Sequence, residues 1–340
     1  MTLDPSVAAV RLAVRRGLRT QGDGKGLQAA AETHAVVVAC SGGADSLALL
    51  AATVFELRRA PVRVIGAVVD HGLQDDSATH TARVVEQMAS LGVDETVSAR
   101  VQVEASGRGL EAGARRARYA VLGQIAESFD ARRVLLGHTL DDQAETVILG
   151  LARGSGGRSI AGMRPHFLEG ATQYLRPLLG VRRSETEAAC RAESIAFWVD
   201  PHNSDPRFTR SRVRHSVLPL LEAELGPGVA ETLARTALQL RPDMEALDEI
   251  AERHLEWARQ GGDEVRLDAL RSEPDAIVSR VLRQAALDAG AIGSELFAVH
   301  VNALHDLVAG RLRGEVHLPG HLTAYLDQGR IRFRATDPLR

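Results

Sequence analysis

The chain is short of several things, and each shortage narrows what it can be. Among its 340 residues are two cysteines, Cys40 and Cys190, too few for a Cys₄ metal site or a disulfide framework. Cys40 closes an apolar run and reads as a small buried residue rather than a catalytic thiol. Aromatic residues make up 4% of the chain, and its two tryptophans, Trp198 and Trp257, read as packing residues. No run of about 18 apolar residues exists, and the first residues lack the charged-then-apolar pattern of a signal peptide, so a cytoplasmic protein without membrane contact is expected. The formal net charge of −3 does not advertise a nucleic-acid binder, which makes the local distribution of arginine more telling than the total. Scattered histidines such as His254, His300 and His305 have no metal-ligand spacing, and no internal repeat stands out. What remains is ordinary: 45% hydrophobic and 25% charged residues, in a chain long enough for two globular domains.

The rest is organised around residues 36–50. An apolar run leads into Ser41-Gly42-Gly43-Ala44-Asp45-Ser46 and then into helix-forming residues. Glycines let backbone N–H groups approach an anion without a Cβ in the way, and the following helix offers unsatisfied N–H groups with a partial positive charge. No lysine follows these glycines, so this is not the G-x-x-x-x-G-K-[ST] loop. Asp45 adds a condition. A carboxylate in an anion-binding loop repels phosphate unless a divalent cation sits between them, so Asp45 points to Mg²⁺ shared with bound phosphates.

Helical spacing is expected over 5–19, 77–91 with Ser77 as a candidate N-cap, 110–129 and 141–152, with a Gly-rich link around 22–26. Strands are expected over 62–69, ending in Asp70-His71, over 97–103, and over 134–136, ending in Gly137-His138. Strands alternating with helices of this length imply parallel strands with helical crossovers, and ligands then collect at the carboxyl ends of the strands. The polar clusters lie at those ends. From about residue 216 to 312 the chain reads as a helical bundle, and 315–333 as two or three short strands. The expected fold is therefore α/β, a Rossmann-like parallel-sheet domain over 1–216 followed by a mainly helical domain over 217–340.

Asp142 and Glu145 are three apart, so on a helix they share a face and can hold one cation or one ammonium group. Arg153-Gly154-Ser155-Gly156-Gly157 follows them as a flexible, anion-friendly turn. The strongest basic cluster is Asp205-Pro206-Arg207-Phe208-Thr209-Arg210-Ser211-Arg212-Val213-Arg214-His215, with Phe208 available to stack on a base. Arginine suits planar, bidentate phosphate contacts.

The Ser41–Ser46 loop resembles the SGGxDS loop of the N-type ATP pyrophosphatases, the PP-loop superfamily, which cleave ATP to AMP and pyrophosphate while adenylating a substrate. At finer grain, 138–146 with Arg153-Gly154-Ser155-Gly156, Leu175-Arg176-Pro177-Leu178-Leu179 and Asp200-Pro201-His202-Asn203 resemble the tRNA(Ile)-lysidine synthetase family. The likeness covers roughly residues 36–220. It implies ATP bound by Ser41, Gly42, Gly43, Ala44, Asp45 and Ser46, with Asp70, His71, Arg115 and His138 around the nucleotide and Mg²⁺ at Asp45. It further implies that O2 of the wobble cytidine in the CAU anticodon of tRNA(Ile) attacks the α-phosphorus, and that free L-lysine then displaces AMP. Catalysis would rest on Asp45, on Asp142 and Glu145 at the lysine, and on Arg212 nearest the adenylate. Arg207, Arg210, Arg212 and Arg214 would contact tRNA, which the second domain would select by shape. A homodimer is compatible with the resemblance. The family commonly carries Asn where Ser211 stands, which puts in doubt any contact that needs an amide there. Two rivals stay open: a tRNA thiolation enzyme of the same superfamily, which would call for paired catalytic cysteines or an iron–sulfur motif, and a nucleotide-binding protein without turnover.

Overall fold

The computed structural model describes residues 3–19, 34–70, 77–101, 110–154, 156–200, 205–259, 262, 264–293 and 295–336. The chain divides into two compact units, Met1–Thr146 with Met163–Ala234, and Val147–Gly162 with Arg235–Arg340.

The first unit is built on a six-stranded sheet. Its strands are β1 (Ala35–Ala39), β2 (Arg63–Asp70), β3 (Glu95–Arg100), β4 (Ala131–Leu135), β5 (His166–Glu169) and β6 (Thr172–Leu175), in the order β3-β2-β1-β4-β6-β5. All neighbours are parallel except β5, which pairs antiparallel with β6 at the edge. The helices are α1 (Pro5–Arg19), α2 (Ala44–Leu57), α3 (Ser77–Ser90), α4 (Leu110–Ser128), α5 (Leu140–Arg153), α6 (Gly157–Ile160) and α7 (Arg183–Ala192).

β1 explains why its sequence is an unbroken apolar run. Val36 and Val38 enter one core with Val7, Leu47, Val84 and Ala189 from α1, α2, α3 and α7. Ala35 and Val37 enter the other, with Tyr119, Leu122 and Ile125 of α4. A strand covered by helices on both faces needs no polar alternation. From β1 the chain runs to β2 and β3 on one side, then crosses to β4 on the other. That reversal leaves a crevice at the carboxyl ends of β1 and β4.

The three expected strands, the apolar run before Ser41, which is β1, and the helices before residue 153 lie within a few residues of their predicted places. The β5–β6 hairpin was not expected, because each strand is only four residues long. Ser77 starts α3, but its hydroxyl turns to Asp70 Oδ2, 3.3 Å away.

After α7 come α8 (Thr209–Arg212), a π-helical turn (Val213–Val217), α9 (Leu218–Leu225) and α10 (Val229–Arg259). The π turn precedes Pro219, which lacks an N–H and whose ring would crowd the carbonyl of residue 215 in a regular helix. The compact units do not part at 216/217 as expected from composition. Residues 217–234 stay with the first unit: Arg182 Nε donates to Glu231 Oε1 at 2.5 Å and Arg182 Nη2 lies 3.9 Å from Glu222 Oε1, while Glu222 also accepts the N–H groups of Gly228 (2.6 Å), Val229 (3.2 Å) and Ala230 (3.0 Å).

The second unit takes the latter part of α5, all of α6, most of α10, α11 (Asp275–Asp288) and α12 (Ala298–Val308). Its sheet is antiparallel, in the order β7 (Val265–Arg266), β10 (Arg330–Ala335), β9 (Leu322–Asp327), β8 (Glu315–Leu318). Val281, Leu282, Leu304, Leu307, Ala324 and Ile331 fill its core. Within it Gly157 packs on Met244, and Arg241 donates to the carbonyl of Gly162 at 2.6 Å.

Candidate active site

Two loops meet at the crevice, one after β1 and one after β4. In the first, Ser41 N–H donates to Ser46 Oγ (3.1 Å), and Ser46 Oγ donates to the carbonyl of Gly43 (2.9 Å), closing a tight ring ahead of α2. Gly42 has φ +80°, and a Cβ there would stand 2.6 Å from Val84 Cγ2. Behind the loop, Trp198 N–H donates to Gly42 O at 2.9 Å, His80 Nε2 lies 3.1 Å from Ser41 O, and the two rings sit 4.1 Å apart. Trp198 thus packs, as expected, but against the loop itself. In the second loop Gly137 lets the backbones touch, since a Cβ on it would lie 3.1 Å from Asp45 C and O and from Ser46 N.

Asp142 has two jobs. As the third residue of α5 its Oδ2 accepts Thr139 N–H (2.8 Å) and Thr139 Oγ1–H (3.0 Å), an N-terminal capping arrangement. Its Oδ1 faces arginines: Arg183 Nη2 at 3.0 Å and Arg214 Nη2 at 3.1 Å. Glu145, fully buried, accepts Arg210 Nε (2.8 Å) and Arg214 Nε (2.7 Å) and lies 3.5 Å from Arg183 Nη2. Asp45 completes the set. Thr186 Oγ1 bonds its Oδ1, and Arg183 Nε stands 3.5 Å from its Oδ2. Three carboxylates therefore face three guanidinium groups in one largely buried cluster, which is neutral as a whole.

Burial pushes the Asp45 carboxyl up to about 6, against the Thr186 hydrogen bond and the Arg183 charge, with Asp142 adding to the rise. Burial works the same way on Asp142, but Arg183, then Arg210, Thr139 N–H and His138 outweigh it and hold that carboxyl below its ordinary value. Two neighbouring acids thus titrate in opposite directions, because one is framed by guanidinium groups and the other mainly by a hydroxyl.

The arginine segment splits by face. Arg210 and Arg214, four apart, share a face and reach the acids. Arg212 points away. Its Nη1 donates to the carbonyls of Pro206 (2.7 Å) and Arg207 (3.1 Å), and its Nη2 to Thr209 Oγ1 (3.0 Å), which does not place it nearest the acids. Arg207 is exposed and paired with Asp205 at 2.7 Å, Phe208 is exposed, and Ser211 is buried. Asp70 ends β2 with Ser77 Oγ at 3.3 Å and Arg100 Nε at 3.8 Å. His138 adjoins the cluster through its influence on Asp142. His71, Ser155, the 201–203 part of Asp200-Pro201-His202-Asn203 and the side chain of Arg115 lie outside the described residues. The Leu175–Leu179 motif is structural: Arg176, buried, donates to Arg164 O (2.7 Å) and Tyr119 Oη (3.3 Å). Arg183 and Thr186 escaped the sequence reading. The available signal was indirect, since a buried acidic pair demands counter-charges beyond those of one basic segment.

A glycine loop opens a helix at the switch point of a parallel sheet, as in many nucleotide-binding folds, and residues 19–221 match the PP-loop domain family, which makes this a PP-loop ATP-binding protein. The U34-tRNA thiolase NcsA from Methanococcus maripaludis, solved with its [4Fe-4S] cluster, shares the fold at a TM-score of 0.55 and 16% identity, over 69% of this chain and 79% of that one. Sequence relatives are closer. The chain is 46% identical to the tRNA(Ile)-lysidine synthase of Streptomyces coelicolor, over 97% of its own length and 98% of the relative's, and 46% identical to that of Thermobifida fusca, over 96% and 97%. The enzyme of that name from Mycobacterium tuberculosis is 50% identical over 78% and 82%. The chain belongs to the tRNA(Ile)-lysidine synthase family.

Proposed function

We propose that this enzyme joins free L-lysine to C2 of the wobble cytidine in the CAU anticodon of tRNA(Ile), in the cytoplasm, through an adenylated tRNA intermediate. The carrying observation is that a phosphate loop touches, through Gly137, the loop that mounts the buried Asp142–Glu145 pair. One site then offers anion-binding N–H groups beside carboxylates that can receive an ammonium group.

In the first step O2 of the cytidine bonds to the α-phosphorus of ATP and pyrophosphate leaves. The backbone N–H groups of the Ser41–Ser46 loop and the start of α2 hold the phosphates. In the second step the lysine amine, having lost a proton, bonds to C2 while the C2–O bond breaks and AMP departs with the oxygen. Asp142 and Glu145 bind and orient that amine. The charge balance supports this order. The cluster is neutral without ligands, so a lysine cation enters more readily once the adenylate phosphate has brought a negative charge and drawn Arg210 or Arg214 toward it.

Among the described residues no three His, Cys, Asp or Glu side chains form a metal cluster. Asp45 alone suits Mg²⁺, which takes one or two carboxylates together with phosphate oxygens and water. Bound there, the ion would neutralise charge on the departing pyrophosphate.

Thiolation is the weaker reading. Cys40 and Cys190 are both buried, and burial raises both thiols, Cys190 to about 12, so neither is a ready thiolate. Pyrophosphate and AMP release, measured with cytidine-bearing tRNA(Ile) with and without lysine, tests the proposal; AMP release indifferent to lysine would refute it. Asp142→Asn should leave adenylation of tRNA within about threefold and abolish lysine incorporation. Equal loss of both half-reactions would move Asp142 out of the lysine site.

A further inference from the structure

We propose that the first turn of α7 positions both half-sites, with Arg183 fixing the Asp142–Glu145 pair and Thr186 fixing Asp45. The inference rests on the function proposed above and adds two residues to it. Arg183 reaches three carboxylates: Nη2 lies 3.0 Å from Asp142 Oδ1 and 3.5 Å from Glu145 Oε1, and Nε lies 3.5 Å from Asp45 Oδ2. Its backbone N–H donates to Asp141 Oδ2 at 2.8 Å, so the helix start is tied to α5 as well. The Thr186 hydroxyl, fully buried one turn on, sits between Asp45 Oδ1 and the carbonyl of Arg183.

The turn is rigidly mounted. Arg182 N–H donates to Glu185 Oε2 at 2.8 Å, closing the N-terminus of α7. Farther along, Ala189 and Cys190 are buried in the core shared with α1 and α2, and Cys190 Sγ lies 3.4 Å from the carbonyl of Ala44 at the start of α2. One packed helix therefore touches the first turns of both α2 and α5, which carry the adenylation and lysine groups respectively. Arg210 and Arg214 differ. They sit on a short segment, 205–217, rather than on a helix packed in the core, whereas Arg183 lies on α7, whose Ala189 and Cys190 are buried, and is the charge that keeps the two acids oriented.

The test uses the full-length enzyme and separates the half-reactions: pyrophosphate release with tRNA(Ile) in the absence of lysine, and lysine KM and kcat for transfer from preformed adenylated tRNA. Thr186→Val should slow adenylation about tenfold or more while moving lysine KM less than about twofold, and Thr186→Ser should restore the rate. Arg183→Gln should raise lysine KM about ten- to hundredfold with a smaller loss in adenylation. Arg183→Lys should recover part of that loss, because a point charge can serve one acid but not the planar bridge between them. The same fractional loss in both half-reactions for every variant is what a loosened fold would give, and it would overturn the proposal. So would an Arg183→Lys enzyme no better than Arg183→Gln. Wild-type enzyme that releases AMP without any response to lysine would instead refute the functional reading, and the Thr186 variants would still judge the role of α7 at Asp45.

Discussion

Asp45 carries two demands that oppose each other. In the role proposed for it beside bound phosphates it must be ionised, yet its surroundings push it up to about 6, chiefly by burial. A raised carboxylate binds its proton more tightly in the folded than in the unfolded state. Its contribution to stability is therefore fully present below the unfolded value of 3.8 and lost as pH rises through about 6. In the ligand-free protein at pH 7.5 the ionised side chain weighs against folding by about 3 kcal/mol, from about 1.4 kcal/mol for each tenfold change in proton affinity. Asp45→Asn should thus raise the urea midpoint at pH 7.5, with the gain shrinking as pH falls through 6 toward 4, while adenylation stops. A variant no more stable than wild type at pH 7.5 would show that burial does not govern this group. The Ser41–Ser46 loop was legible in the sequence because its Ser/Gly/Asp pattern between an apolar run and a helix is local. Arg183 was not, because its role depends on a distance in space to Asp142 that no local pattern records.

At the scale of elements, the phosphate loop is fixed by sterics as much as by hydrogen bonds. Gly42 combines a left-handed φ of +80° with a Cβ position already filled by Val84 Cγ2 of α3. Gly42→Ala should therefore lower ATP affinity about tenfold or more, since the left-handed backbone alone costs an L-residue about 1–2 kcal/mol. Adding Val84→Ala should recover the overlap part but not the backbone part, a distinction that titration calorimetry of the two variants can read. β1, β2 and β4 were legible because each contains an apolar run, and their parallel pairing followed from alternation with helices, whereas their order in the sheet was not read from the sequence. The hairpin of β5 and β6 was not, because four residues carry too little periodicity. In the arginine segment the four-residue spacing of Arg210 and Arg214 was present in the sequence and places them on one face. Which of the four arginines face α5 was not legible, and the π turn at Val213–Val217 further shifts the register that a regular helix would give.

For the whole molecule, composition marks a change near residue 216, but packing draws the line elsewhere. Residues 217–234 look like the start of the helical region, because Ala, Leu and Glu dominate them, yet Glu222 and Glu231 both face Arg182, earlier in the chain. Leu218 and Ala230 are buried, Glu222 receives the N–H groups at the start of α10, and Glu231 pairs with Arg182, the residue just before α7. Residues 147–162 do the reverse, leaving the first unit to pack with 235–340. A chain ended at residue 216 should therefore be compromised twice. It loses the 217–234 contacts, worth about 3–5 kcal/mol when a buried leucine, a helix start and an ion pair are taken together. That is a large share of the roughly 5–15 kcal/mol that holds a typical domain folded. It also leaves Gly157 without Met244 and the carbonyl of Gly162 without Arg241. Ending the chain at 234 should restore the first loss and not the second, so thermal midpoints should rise in the order 216, 234, full length. A 216-residue chain as stable as the whole would show that the composition boundary is the true one. The relatives from Streptomyces coelicolor and Thermobifida fusca match over nearly the entire chain, so both units belong to what they share with it. The shortened chains should accordingly lose tRNA-dependent pyrophosphate release together with the fold of 147–162, rather than keep adenylation and lose only RNA affinity.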